Sequence, residues 1–102
     1  MAYYLVGATL RKDLASELRE RLDKREFLNM QPFGNSLTRA LDDLRYNYQT
    51  NGVFWEEEDY CSPPLAMERA AVLDQYFEAI DVAQVSDGEG WGLISELPPL
   101  WA

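Results

Sequence analysis

The chain has 102 residues, 47% of them hydrophobic, which suits one domain spanning 1–102 with a modest core and argues against wholesale disorder. Its 18 acidic and nine basic residues leave a net charge of −9, which excludes the basic footprint of direct nucleic-acid binding and adsorption to an anionic membrane. With no histidine and one cysteine, the chain alone cannot build a Ser-His-Asp or Cys-His nucleophilic site, a usual zinc site or an internal disulfide.

Tyr3 to Leu10 reads as a strand apolar on both faces, as in a central strand. A helix is predicted from about Asp13, a plausible N-cap, to Arg25, with Leu14, Leu18 and Leu22 forming one narrow apolar stripe. Its charges pair four apart and belong to a solvated surface. Glu26 to Gly34 fits no period. It reads as a packed loop or an irregular strand, and its apolar residues, Phe33 among them, point to burial or to contact with a partner. Asn35-Ser36 can cap a second helix carrying Leu37, Leu41 and Leu44 on one face and ending near Tyr46.

After a loop ending in Asn51-Gly52, Val53, Phe54 and Trp55 favour a strand. Alternation puts Val53, Trp55 and Glu57 on one face and Phe54, Glu56 and Glu58 on the other. Both rows begin apolar and end acidic, so the strand is expected to run from the core to an edge. Ser62-Pro63-Pro64 marks a helix start with Ser62 as cap. From Leu65, the residues Val72, Leu73, Tyr76, Phe77 and Ile80 share a helical face. Arg69 falls inside that stripe, so it must either pair with one of the acids at 56–59 or run its stem out to solvent. Asp81 to Val85 and Trp91 to Ser95 then read as a hairpin joined by Ser86–Gly90. Pro98-Pro99 favours an extended tail, with Leu100 and Trp101 packing on their own domain or inserting into a neighbouring subunit.

The order strand, helix, helix, strand, helix, strand, strand defines an α+β fold: a small, mostly antiparallel sheet of three to four strands with three helices on one face. The alternative is a ferredoxin-like arrangement, which needs one more strand, with Phe27 to Met30 as the candidate.

One constellation carries chemical potential: Glu56, Glu57, Glu58 and Asp59, with Cys61 and Arg69 nearby. Clustered oxygen ligands suit Mg²⁺, Mn²⁺ or Ca²⁺, but alternation along one strand aims at most two of these acids at any ion, so no metal and no cofactor is expected. Cys61 precedes a helix start, which lowers a thiol pKa, and follows four acids, which raise it; burial is expected to outweigh reactivity. Asp87-Gly88-Glu89-Gly90 lacks the lysine of a phosphate-binding loop and reads as a turn.

The functional expectation is a small acidic interaction or regulatory module acting as a homodimer, with Phe33, Leu100 and Trp101 as candidate interface residues. Two alternatives remain open. One is a carboxylate-based enzyme or enzyme subunit with a site near the 56–59 acids and Arg69. The other is an acidic mimic of nucleic acid. The absence of a secretory leader pattern and of a ~20-residue apolar run points to a cytoplasmic protein without membrane contact.

Overall fold

The computed structural model describes residues 2–101. Four strands form one antiparallel sheet: β1 (Ala2–Leu10), β2 (Arg45–Asn47), β3 (Gly52–Asp59) and β4 (Phe77–Val85), in the order β2-β3-β1-β4. Four helices accompany them. After a 3-10 turn at Lys12–Leu14 come α1 (Ala15–Asp23) and α2 (Gly34–Asp42). The third, α3 (residues 66–76), joins Ala66–Glu68, a π turn Arg69–Leu73 and Asp74–Tyr76. The fourth is α4 (Glu89–Leu93). The fold is therefore α+β. Its connectivity and strand order follow the ferredoxin-like pattern, with the first crossover split into two helices.

The sheet's inner face is built from alternate residues of β1 and β3. Val6 pairs with Trp55 and Ala8 with Val53, and all four are buried. Leu18, Leu22, Leu37 and Leu41 of α1 and α2 and Val72 and Leu73 of α3 close over them. The leucine spacing in α1 and α2 does what it predicts, placing residues four apart on one buried face. Gly34 opens α2 hard against the preceding loop: a Cβ there would lie 2.3 Å from the Phe27 carbonyl oxygen, so no other residue fits.

Several predicted elements change. Residues 27–30 form turns; the extra strand is β2, three residues long, with Tyr46 buried. The helix predicted to reach Ile80 ends at Tyr76, and Phe77 is extended (φ −132°, ψ 152°). Residue Ala79 has φ 54° and the β1–β4 register shifts between Gly7 and Thr9, marking a bulge. That bulge brings Phe77 and Ile80, three apart, to the same inner side, and so imitates a helical repeat within a strand. Residues 91–95 form no returning strand, because α4 occupies their place. Helix α4 also stands apart from the other three: it meets the sheet through Glu56, in the opposite row of β3.

The tail folds back on its own chain. The Tyr46 N–H donates to the Pro98 carbonyl and the Leu100 N–H to the Leu44 carbonyl. The Trp101 indole donates to the Leu41 carbonyl at 2.7 Å beneath the Arg19 guanidinium, 4.8 Å from the ring centroid. Phe33 is buried and Leu100 packs on the core, so these three candidate interface residues lie within or against their own core.

Candidate functional site

The acidic run does not emerge at an edge. Alternation sends Glu57 and Asp59 inward, where they are 2% and 4% exposed, and Glu56 to the other side at 6%. Only Glu58 of the four lies partly open, accepting a hydrogen bond from the Tyr60 hydroxyl.

Glu56 is well provided for. Its carboxylate accepts N–H bonds from Gly88 (2.9 Å), Gly90 (2.7 Å) and Trp91 (3.4 Å). The loop read from sequence as a plain turn is thus an amide cradle, filled by the chain's own carboxylate. Gly88 sits at φ 83°, and a Cβ on Gly90 would lie 2.9 Å from Glu56 Oε1.

The inner acids are differently placed. Asp59 accepts the Leu65 N–H at 2.6 Å and the Cys61 N–H at 3.2 Å. It thereby holds the chain just before α3, where Leu65 takes an uncommon left-handed conformation (φ 64°). Ser62 makes no capping bond to this helix, and the Ser62-Pro63 peptide is cis. The first turn of α3 then drives Glu68 inward, fully buried, against Glu57 and Asp59. Glu57 Oε1 accepts the Trp55 indole N–H at 3.0 Å, and the Cys61 thiol lies 3.8 Å from Glu68 Oε1. The second oxygens, Glu57 Oε2 and Glu68 Oε2, are buried with no donor to receive. Among the described residues, none of these three carboxyls has an ion pair.

Two facing carboxylates repel unless a proton or a cation lies between them. Burial is the main cause that pushes Glu57 well above the ordinary carboxyl value, with the Glu68 contact adding to it and the indole bond opposing. Burial also raises Glu68, where the Asp59 contact adds and the Glu57 bond opposes. Burial acts to raise Asp59 as well, but amide bonds from Leu65, Tyr60 and Cys61 and the bond from Glu68 outweigh it, so Asp59 falls below its ordinary value. Cys61 is raised: the Met67 amide favours the thiolate, but burial and the Asp59 and Glu68 charges prevail. Within the row, Glu57 and Glu68 are held above the ordinary carboxyl value and Asp59 below it.

Arg69 does not join this group. Its guanidinium pairs with Asp74 at 3.3 Å on the surface, so of the two alternatives its stem runs to solvent and it does not pair with the 56–59 acids. Glu68, which helical spacing puts on the polar face with Asp74, Gln75 and Glu78, takes the inward place instead. A helical wheel run back from Ile80 assumes 3.6 residues per turn, whereas the π turn at 69–73 inserts an extra residue and rotates everything before it.

Two surface features complete the picture. Between α2 and the 87–91 loop, a polar cleft of about 380 Å³ is lined by Arg39, Asp43, Tyr3, Glu57, Glu58 and Trp91, among others. On the sheet's outer face, a groove of about 450 Å³ runs between Leu5, Phe54, Ala79 and Ala83 over Gly7, with Asp81 as its one charged residue. Comparison with protein-family models, curated proteins and solved structures finds no match for this chain. No described helix is long and apolar enough to cross a membrane.

Proposed function

We propose that the chain is an interaction module that works as a homodimer, the outer face of its sheet seated on the same face of a second copy. The observation that carries this reading is the outer groove: an almost uncharged surface, with Leu5 and Phe54 at its floor, on a chain of net charge −9. A cationic partner would seek the acids, and this patch offers it only Asp81. A second copy matches the apolar lining and brings Asp81 of each chain as the one charged group of the contact. A two-fold contact sets the same patch against itself, Phe54 of each chain facing small residues of the other, and leaves the remaining charge outside. Ala79 and Ala83 are exposed and small, so the approach is open on the β4 side. A reducing, cytoplasmic setting belongs to this proposal, because the single half-buried Cys61 needs no disulfide partner.

Light scattering tests it. The intact chain should run at twice its 11.8 kDa mass, and Ala83→Glu should convert it to a monomer with unchanged circular dichroism. A wild-type monomer at high micromolar concentration would set the reading aside.

The polar cleft favours a second reading, a carboxylate-based site for a small cationic or zwitterionic ligand. Arg39, with no ion pair among the described residues, lines the same cleft as Glu57 and Glu58 and would take the role expected of Arg69. Amide shifts confined to Arg39, Asp43 and Trp91 on titration with amino acids or polyamines would support it, and a flat response would remove it. The nucleic-acid mimic has less support, since Glu56, Glu57 and Asp59 are buried and form no exposed row.

A further inference from the structure

We infer that Asp59, Cys61 and Glu68, with Glu57 behind them, form a binding site for a borderline divalent cation, best matched by zinc. The inference rests on two independent observations. First, the carboxylate oxygens of Asp59 and Glu68 and the Cys61 sulfur converge, all within 4.8 Å of one another. Second, Glu57 Oε2 and Glu68 Oε2 are buried with no hydrogen-bond donor, on side chains 2% and 0% exposed. In the metal-free chain only a proton shared among the carboxyls relieves these oxygens, and a cation would take its place.

The expectation of no metal rested on one strand offering only alternate acids. The fold removes that limit by adding Glu68 from α3 and Cys61 from the connecting loop. The distances suit a small ion. Ligands ~2.0–2.3 Å from a tetrahedral zinc lie roughly 3.3–3.8 Å apart. The Cys61 sulfur and Glu68 Oε1 already stand at 3.8 Å, so the remaining donor closes by at most about 1.5 Å.

The donor set selects the cation. Magnesium and calcium take oxygen ligands and gain nothing from a thiol, whereas zinc and cobalt accept thiolate and carboxylate together. On binding, the Cys61 thiol and any protonated carboxyl of the cluster lose their protons to solvent, and each freed lone pair goes to the cation. Cys61 is half-buried between exposed Tyr60 and Ser62, so the ion enters from the loop without opening the core. The bound ion would tie the end of β3 to the first turn of α3.

The test uses the full chain, stripped with chelator and kept reduced, and titrated with Zn²⁺ by calorimetry and with Co²⁺ by absorbance. The expected result is saturable one-to-one binding, proton release, a higher melting temperature, and a sulfur-to-cobalt charge-transfer band. Cys61→Ser should abolish that band. Cys61→Ser and Glu68→Gln should each weaken zinc by ~10-fold or more while the metal-free fold is retained. Should Glu68→Gln fail to fold, Cys61→Ser alone decides, since its side chain is half-exposed and isosteric. Absence of one-to-one binding, affinity unchanged in both variants, or displacement of cobalt by equimolar magnesium would each overturn the assignment.

Discussion

Each face of the sheet departs at one place from the usual division of polar and apolar residues. The inner face, covered by α1, α2 and α3, begins with Val53 and Trp55 and ends with buried Glu57 and Asp59. The outer row also carries Arg45, Glu56, Glu58, Glu78 and Asp81, but the groove left open around Phe54 and Leu5 has Asp81 as its one charged lining residue. Each oddity has the same logic: buried charge calls for a counter-charge, and an open apolar groove calls for a cover. Glu56 shows what a satisfied acid looks like in the same strand. It is as buried as its neighbours, yet three backbone amides hold it, while Glu57 has one indole and a bare second oxygen.

Substitutions should separate these cases. Glu56→Ala is expected to cost most, roughly 3–5 kcal/mol in urea unfolding, because it orphans amides that bond a charged acceptor. A chain ending at Leu97 should lose roughly 3 kcal/mol, since it removes the partly buried Trp101 and the strand-like bonds of Pro98 and Leu100. Its mass in solution should match that of the intact chain; a change of oligomeric state would place the tail at the interface after all.

Glu57 gives the pH dependence. Its folded value lies above the ordinary 4.5, so the folded state binds the extra proton. Its contribution to stability is complete below about 4.5 and is lost as pH rises through the raised value. Asp59, lowered from 3.8, acts oppositely: its contribution is present above that value and is lost in stronger acid. Chelator-stripped protein should therefore be more stable in mild acid than at neutral pH, and Glu57→Gln should flatten that slope. A melting temperature that rises steadily from mild acid to neutrality would refute this. The smallest effect belongs to Arg69→Ala, within ~0.5 kcal/mol, because its pair with Asp74 is solvent-exposed. A larger loss would restore a structural role for Arg69.

Much of the fold was legible from local pattern. An unbroken apolar run marked β1, alternation put Glu57 in one row with Val53 and Trp55 without saying which row faces the core, and leucine spacing marked α1 and α2. Three features misled, each for a physical reason. Strand β2 is too short to show a period. The bulge at Ala79 sets Phe77 and Ile80 three apart and so extends the apparent helix into β4. The π turn slips the helical phase by one residue, which exchanged the roles of Arg69 and Glu68. The acid cluster was visible as a run, but its site was not, since Glu68 and Cys61 join Asp59 only through the turn that Asp59 itself caps. The outer groove was equally hidden, because alternation along one strand does not tell which face the helices will cover.

The most direct test of the central claim is the solution mass of the intact chain and of Ala83→Glu, measured by light scattering across micromolar concentrations. The account predicts a dimer that this one charge, placed on the outer face, converts to a monomer. A monomeric wild type, or a dimer indifferent to Ala83→Glu, would contradict the claim that the open face is covered by a second copy.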